Sequence, residues 1–77
     1  MSNTFKAIKT AIDAAPRNAY VAELHVQTIK HSEELAEMSG RDFCAAVGIP
    51  ASFGTEFLKM RKIADRLKAA GLDVSKL

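Results

Sequence analysis

Apolar side chains recur at helical spacing in the first fifteen positions. They are Phe5, Ile8, Ile12 and Ala15, and polar residues such as Lys6 and Asp13 lie between them. This period predicts an amphipathic helix over 4–15. Asn3 or Thr4 would cap the helix, and Pro16 would end it because a residue before proline avoids helical dihedrals.

Residues 18–38 carry two overlapping patterns. The stretch YVAELHVQTI alternates with a period of two, which is typical of a strand, but its residues are also compatible with a helix. The following SEELAEM has strong helix formers, with Leu35 and Met38 inward and the glutamates outward. We expect helix over 18–38, broken near His31. A strand over 21–29 stays open as the alternative, and it would pair with its symmetry mate in a dimer.

A short helix with marked ends is predicted over 40–47. Ser39 and Asp42 have the spacing of a capping box at its start. Gly48 occupies the position of a left-handed C′ residue, and Ile49 follows as its apolar contact. Pro50 cannot continue this helix but can begin a new one.

The last helix is predicted over 51–70, with a stop at Gly71. Its apolar stripe consists of Phe53, Phe57, Met60, Ile63, Ala64 and Leu67. At 100° per residue, a polar row falls on the opposite face, formed by Thr55, Lys59, Lys62 and Arg66. The chain is therefore expected to be all-α, a small helical bundle forming one domain over residues 1–77.

Composition and size narrow the class of protein. The 48% hydrophobic and 26% charged residues are those of a folded globular chain and argue against disorder. Seventy-seven residues are few for a self-sufficient core, which favours a homodimer. The chain has one cysteine, no apolar run of membrane-spanning length and no signal-peptide pattern, so we expect a cytoplasmic protein without a membrane partner.

Basic side chains are concentrated in the second half of the sequence. Residues 1–40 hold four basic and five acidic side chains, whereas residues 41–77 hold seven and four. Five of these cations lie within ten positions, at Lys59, Arg61, Lys62, Arg66 and Lys68. A basic helix on a mildly acidic protein is typical of nucleic-acid binding. The same distribution of charge is also typical of an ordinary helix face exposed to solvent.

The sequence offers little for catalysis. It has no nucleophile elbow and no glycine-rich phosphate loop. Cys44 lies among alanines, where a small buried hydrophobe is expected, and with His25 and His31 it lacks the spacing of a zinc site. We therefore expect no catalytic residue, no metal and no cofactor.

The stretch FCAAVGIP, with the helix after it, resembles the helix-turn-helix of small bacterial and phage regulators. The resemblance covers about a third of the chain and implies that the second helix enters the major groove of double-stranded DNA. Small residues at 51–55 would let the backbone approach the bases. The expected DNA-binding residues are Arg41, Ser52, Thr55, Lys59, Lys62 and Arg66.

Gly54 departs from that family pattern. The second helix of such units has an aliphatic residue one turn in, and this chain has glycine there, so the angle between the two helices is expected to differ. The predicted function is that of a DNA-binding transcriptional regulator or accessory factor. The alternative is a non-enzymatic helical module that binds a protein through Leu58, Ala69 and the long helix.

Overall fold

The computed structural model describes residues 2–77 and, within them, shows four α-helices and no strand. The helices are α1 (Ser2–Ala14), α2 (Tyr20–Lys30), α3 (Gly40–Val47) and α4 (Gly54–Ala69). Short 3-10 turns lie at Arg17–Ala19, Ala51–Phe53 and Val74–Lys76. The all-α prediction is confirmed. The alternative strand over 21–29 is wrong, because those residues lie inside α2.

Helices α1 and α2 form an antiparallel pair. The Thr4 hydroxyl donates to Glu34 Oε2 at 2.5 Å, so the start of α1 lies beside the segment after α2. The first helix ends before Pro16, as predicted, but it already begins at Ser2. Asn3 and Thr4 are therefore inside the helix, and the expectation that one of them caps it is wrong.

The helix predicted for the whole of 18–38 ends at Lys30. The break expected near His31 is confirmed, but residues 31–37 form consecutive turns instead of a second helix. Leu35 is nevertheless buried at 1% exposure, and the glutamates at 33, 34 and 37 are exposed. The inward and outward positions were thus predicted correctly, although the backbone conformation was not.

Helices α2 and α4 run side by side in the same direction. The rings of Tyr20 and Phe53 lie 5.6 Å apart at the start of both helices, and His25 contacts Glu56 one turn further. Every helix contributes to one hydrophobic core, formed by Ile8, Ile12, Leu24, Leu35, Phe43, Cys44, Val47, Ile49 and Phe57.

The ends of α3 match the prediction. The Asp42 backbone N–H donates to Ser39 Oγ at 3.0 Å, which forms one half of the capping box. Gly48 has φ 86° and ψ 40°, a left-handed conformation in which glycine carries no Cβ penalty. Its N–H and that of Ile49 both donate to the Cys44 carbonyl, at 2.8 and 3.0 Å. The chain then turns through Pro50 into α4.

Candidate nucleic-acid interface

A direct backbone contact fixes α3 against α4. A Cβ atom added to Gly40 would lie 2.6 Å from the Gly54 carbonyl oxygen, so position 40 has no room for a larger residue. A Cβ atom added to Gly54 would lie 3.2 Å from the nearest Gly40 atom, which is a tighter contact than usual but a smaller overlap. One turn further, the rings of Phe43 and Phe57 stack with centroids 4.2 Å apart. Gly54, which departs from the helix-turn-helix pattern, is therefore one of the two glycines at which the helices touch, and Gly40 is the one with less space.

The predicted polar row on α4 is exposed along its length. Thr55, Lys59, Lys62 and Arg66 are all exposed. They fall within about 60° around the axis and span about 17 Å along it. Their direction is opposite to Phe57 and Ala64, which are both fully buried. We call these four residues the basic face.

The middle of the basic face is partly neutralised by the carboxylate of Glu56. The Lys59 ammonium lies 3.7 Å from Glu56 Oε2. The other oxygen of the same carboxylate lies 2.9 Å from His25 Nε2. Among the described residues, Lys62 and Arg66 have no carboxylate within salt-bridge distance. Lys62 and Arg66 therefore present the strongest positive charge on this face.

The two other predicted site residues lie close to the start of α4. Ser52 is exposed in the 3-10 turn that precedes this helix. Arg41 is exposed and follows Gly40, which touches Gly54, so it flanks the start of the basic face. Gly54 itself is buried and cannot contact DNA, contrary to the expectation that every small residue at 51–55 is available.

Arg61 is a cation of the charge cluster whose guanidinium turns toward the core. Its Nη1 donates to the carbonyl of Leu35 at 3.2 Å and also to that of Met38. Its guanidinium lies 5.1 Å from the ring centroid of Phe57. Arg61 therefore holds the turns at 31–37 against α4. The inward orientation of Arg61 could have been predicted from its angular position on the helix, which lies beside the apolar stripe and away from the basic face.

The apolar stripe of α4 is only partly buried. Phe57 and Ala64 are fully buried, and Phe53 and Met60 are half-buried. Ile63 and Leu67 remain 43% and 38% exposed, so the prediction that they face the core is wrong. The core lies on the side of α4 that carries Phe57 and Arg61. Ile63 and Leu67 therefore fall on a flank of the helix outside the core.

The remaining candidate chemistry does not form a second site. Cys44 is 1% exposed, and burial raises the pKa of its thiol, which makes it a poor nucleophile. Among the described residues, no three His, Cys, Asp or Glu side chains lie close enough to share a metal ion. Nor is any helix in this part of the chain long and apolar enough to span a membrane.

Comparison with known proteins identifies the family of the chain. No curated protein and no solved structure has a significant match to the chain. The family model described as "HTH-like domain" matches residues 1–70, which includes all four helices. The chain therefore belongs to the HTH-like domain family.

Proposed function

We propose that the chain binds double-stranded DNA as one domain over residues 1–77, with the basic face of α4 in the major groove. Its role would be that of a transcriptional regulator or accessory factor in the cytoplasm. The observation that carries the proposal is the exposed row of Thr55, Lys59, Lys62 and Arg66 opposite the buried side of α4. Membership of the HTH-like domain family supports it.

The dimensions of the basic face suit the groove. B-DNA has a major groove about 12 Å wide that admits an α-helix. A row of about 17 Å on one helix face can lie in that groove with its N-terminal end at the bases and its C-terminal end, at Arg66, close to a phosphate backbone. Ser52 and Thr55, at the start of α4, are the side chains we expect to contact bases, since residues near the N-terminus of a second helix do so.

The cations have a different part in this proposal. Arg41, Lys62 and Arg66 neutralise phosphates and release counterions, which contributes affinity independent of sequence. Lys59 contributes less, because the Glu56 carboxylate 3.7 Å away already balances part of its charge. The phosphate contacts therefore lie mainly beside the start of α4, at Arg41, and in its second half, at Lys62 and Arg66.

The test is a titration of fluorescent duplex DNA at several salt concentrations. Lys62→Ala and Arg66→Ala should each weaken binding to every sequence and reduce the salt slope by about 0.9. Lys76→Ala is the matched control, because it removes the same charge from the exposed turn after α4. If Lys76→Ala lowers the slope as much as Lys62→Ala does, binding does not depend on the basic face.

We also propose that the protein is a homodimer. The argument from a pairing strand is removed, since 21–29 is helical. The small size remains, and so do six exposed large hydrophobic side chains at Val21, Val26, Leu58, Ile63, Leu67 and Leu77. Sedimentation equilibrium should give twice the chain mass, and a monomer at high concentration would exclude the dimer.

The second candidate function is a non-enzymatic module that binds another protein through α4. The exposure of Leu58, at 38%, and of Ala69 favours it. This function predicts no affinity for DNA at low salt and loss of the protein partner in Leu58→Asp. The DNA titration above therefore also decides between the two functions.

A further inference from the structure

A cavity of about 190 Å³ opens on the flank of α4 beside the basic face. It is lined by Ser32, Ala36, Arg61, Lys62 and Asp65. Its volume equals that of about six water molecules in the liquid, which is room for a phosphate group and some of its hydration water. Lys62 belongs both to this cavity and to the basic face, so the cavity borders the proposed DNA-binding surface.

Ser32 is the unexplained residue in this cavity. The residue is 5% exposed, and its Oγ atom is buried without a hydrogen-bond partner among the described residues. Buried hydroxyls in folded proteins are nearly always paired, so an unpaired one points to a bound ion or water. Ser32 lines the cavity, and a ligand there must turn its side chain about the Cα–Cβ bond to another staggered position to bring the buried Oγ atom into contact.

Arg61 is held in a fixed position at the same cavity. The contacts with the carbonyls of Leu35 and Met38 use only Nη1, and Phe57 packs against the guanidinium plane. A guanidinium has five N–H donors in a rigid fork, so the donors on Nη2 and Nε are not used by these contacts. A guanidinium held in this way loses little freedom when it binds an oxyanion.

The charge balance of the cavity favours an anion. Arg61 and Lys62 supply two positive charges, and Asp65 supplies one negative charge. The Asp65 side chain is 91% exposed and lies 4.0 Å from the Lys68 ammonium, which offsets its charge. A cation would meet two like charges and the exposed Asp65 carboxylate here, whereas an oxyanion meets two cations, a hydroxyl donor and that same carboxylate.

We propose that this cavity binds one phosphate group, held by the hydroxyl of Ser32, the guanidinium of Arg61 and the ammonium of Lys62. The source of that phosphate group rests on the proposed function. If α4 enters the major groove, the group is a backbone phosphodiester at the edge of that groove. A free phosphate ion has the same chemistry, and the experiment separates the two sources.

The decisive variant is Ser32→Ala, with Ser75→Ala as the matched control in the exposed turn after α4. Ser32→Ala removes an unpaired buried hydroxyl, so the fold should be as stable as before or more stable. Affinity for duplex DNA should nevertheless fall about tenfold, the effect of one hydrogen bond to a charged group. The salt slope should stay unchanged, since no charge is lost.

The outcomes keep the two proposals apart. If the wild-type protein binds duplex DNA and Ser32→Ala binds it equally well, the phosphate site is refuted while DNA binding stands. If the wild-type protein binds no DNA, the proposed function fails, and the cavity is judged by titration with inorganic phosphate at constant ionic strength. Saturable NMR shifts of the Ser32 and Arg61 amides, abolished in Ser32→Ala, would support the site.

A response of those amides to duplex DNA, but not to inorganic phosphate, would also support the site and assign it to the polymer backbone. Unchanged amides with both ligands would mean that the cavity holds solvent alone, which overturns the inference. A wild-type response retained in Ser32→Ala would overturn it too, because the hydroxyl would then take no part.

Discussion

Substitution of Gly40 by alanine tests the contact that fixes α3 against α4. The added Cβ would lie 2.6, 2.8 and 2.9 Å from the O, Cα and C atoms of Gly54. Ordinary contacts begin at 3.4 Å, so the helices must separate by about 0.8 Å at this point. Because all three neighbours are backbone atoms, no side-chain rotation can relieve the overlap.

The free-energy change follows from two opposing effects. Overpacking of this kind costs up to about 3 kcal/mol. Replacing glycine by alanine at an ordinary helical position stabilises a protein by about 0.7 kcal/mol through the unfolded state. The net loss is about 2 kcal/mol, which for a domain of this size lowers the melting temperature by about 8–16 °C. Urea unfolding followed by circular dichroism measures it.

Two further glycines provide the controls. Gly54→Ala meets Gly40 atoms at 3.2 and 3.3 Å, an overlap that small shifts can absorb, so its stability should stay within about 1 kcal/mol of wild type. Gly48→Ala meets no atom within 4 Å, and its cost of about 1 kcal/mol would come from the left-handed backbone alone. A Gly40→Ala protein as stable as wild type would refute the close contact.

Three other predictions concern the supports of this arrangement. Arg61→Ala should lower the free energy of unfolding by about 2–3 kcal/mol in urea, because two carbonyls lose their donor, and an unchanged midpoint would contradict its bracing role. Cys44 should react with a thiol reagent only after urea unfolds the chain, since burial raises its pKa; rapid reaction of the native protein would contradict that burial. The hydroxyl of Thr4, and then His31, lower the pKa of Glu34, so their stabilisation is present above the unfolded pKa and is lost as pH falls through the folded pKa. Thr4→Val should therefore lower the melting temperature at pH 7 but not in strong acid, and an equal loss at both pH values would exclude this pair.

The features that the sequence predicted correctly depend on near neighbours. Ser39 and Gly48 mark the ends of α3 through bonds that span three or four residues. The break near His31 and the stop before Pro16 have the same local origin. The basic face was predicted because the angular positions on one helix follow from its period alone.

The features that were missed depend on residues far apart in the chain. The turns at 31–37 have helix-forming residues, but Arg61, 26 positions after Leu35, binds the carbonyls of this segment. The exposure of Ile63 depends on where the neighbouring helices lie, which its own periodicity cannot show. The reason for a glycine at position 54 is its contact with the backbone of Gly40, which the sequence alone does not place beside it.

The central claim is that the basic face of α4 binds the phosphates of duplex DNA. The measurement is the slope of log affinity against log salt for a random duplex, for wild type and for the Lys62→Ala/Arg66→Ala double variant. Three full phosphate contacts, from Arg41, Lys62 and Arg66, predict a slope of about −2.7, and the double variant should reduce its magnitude by about 1.8. No binding at low salt, or the same slope in both proteins, would contradict the claim.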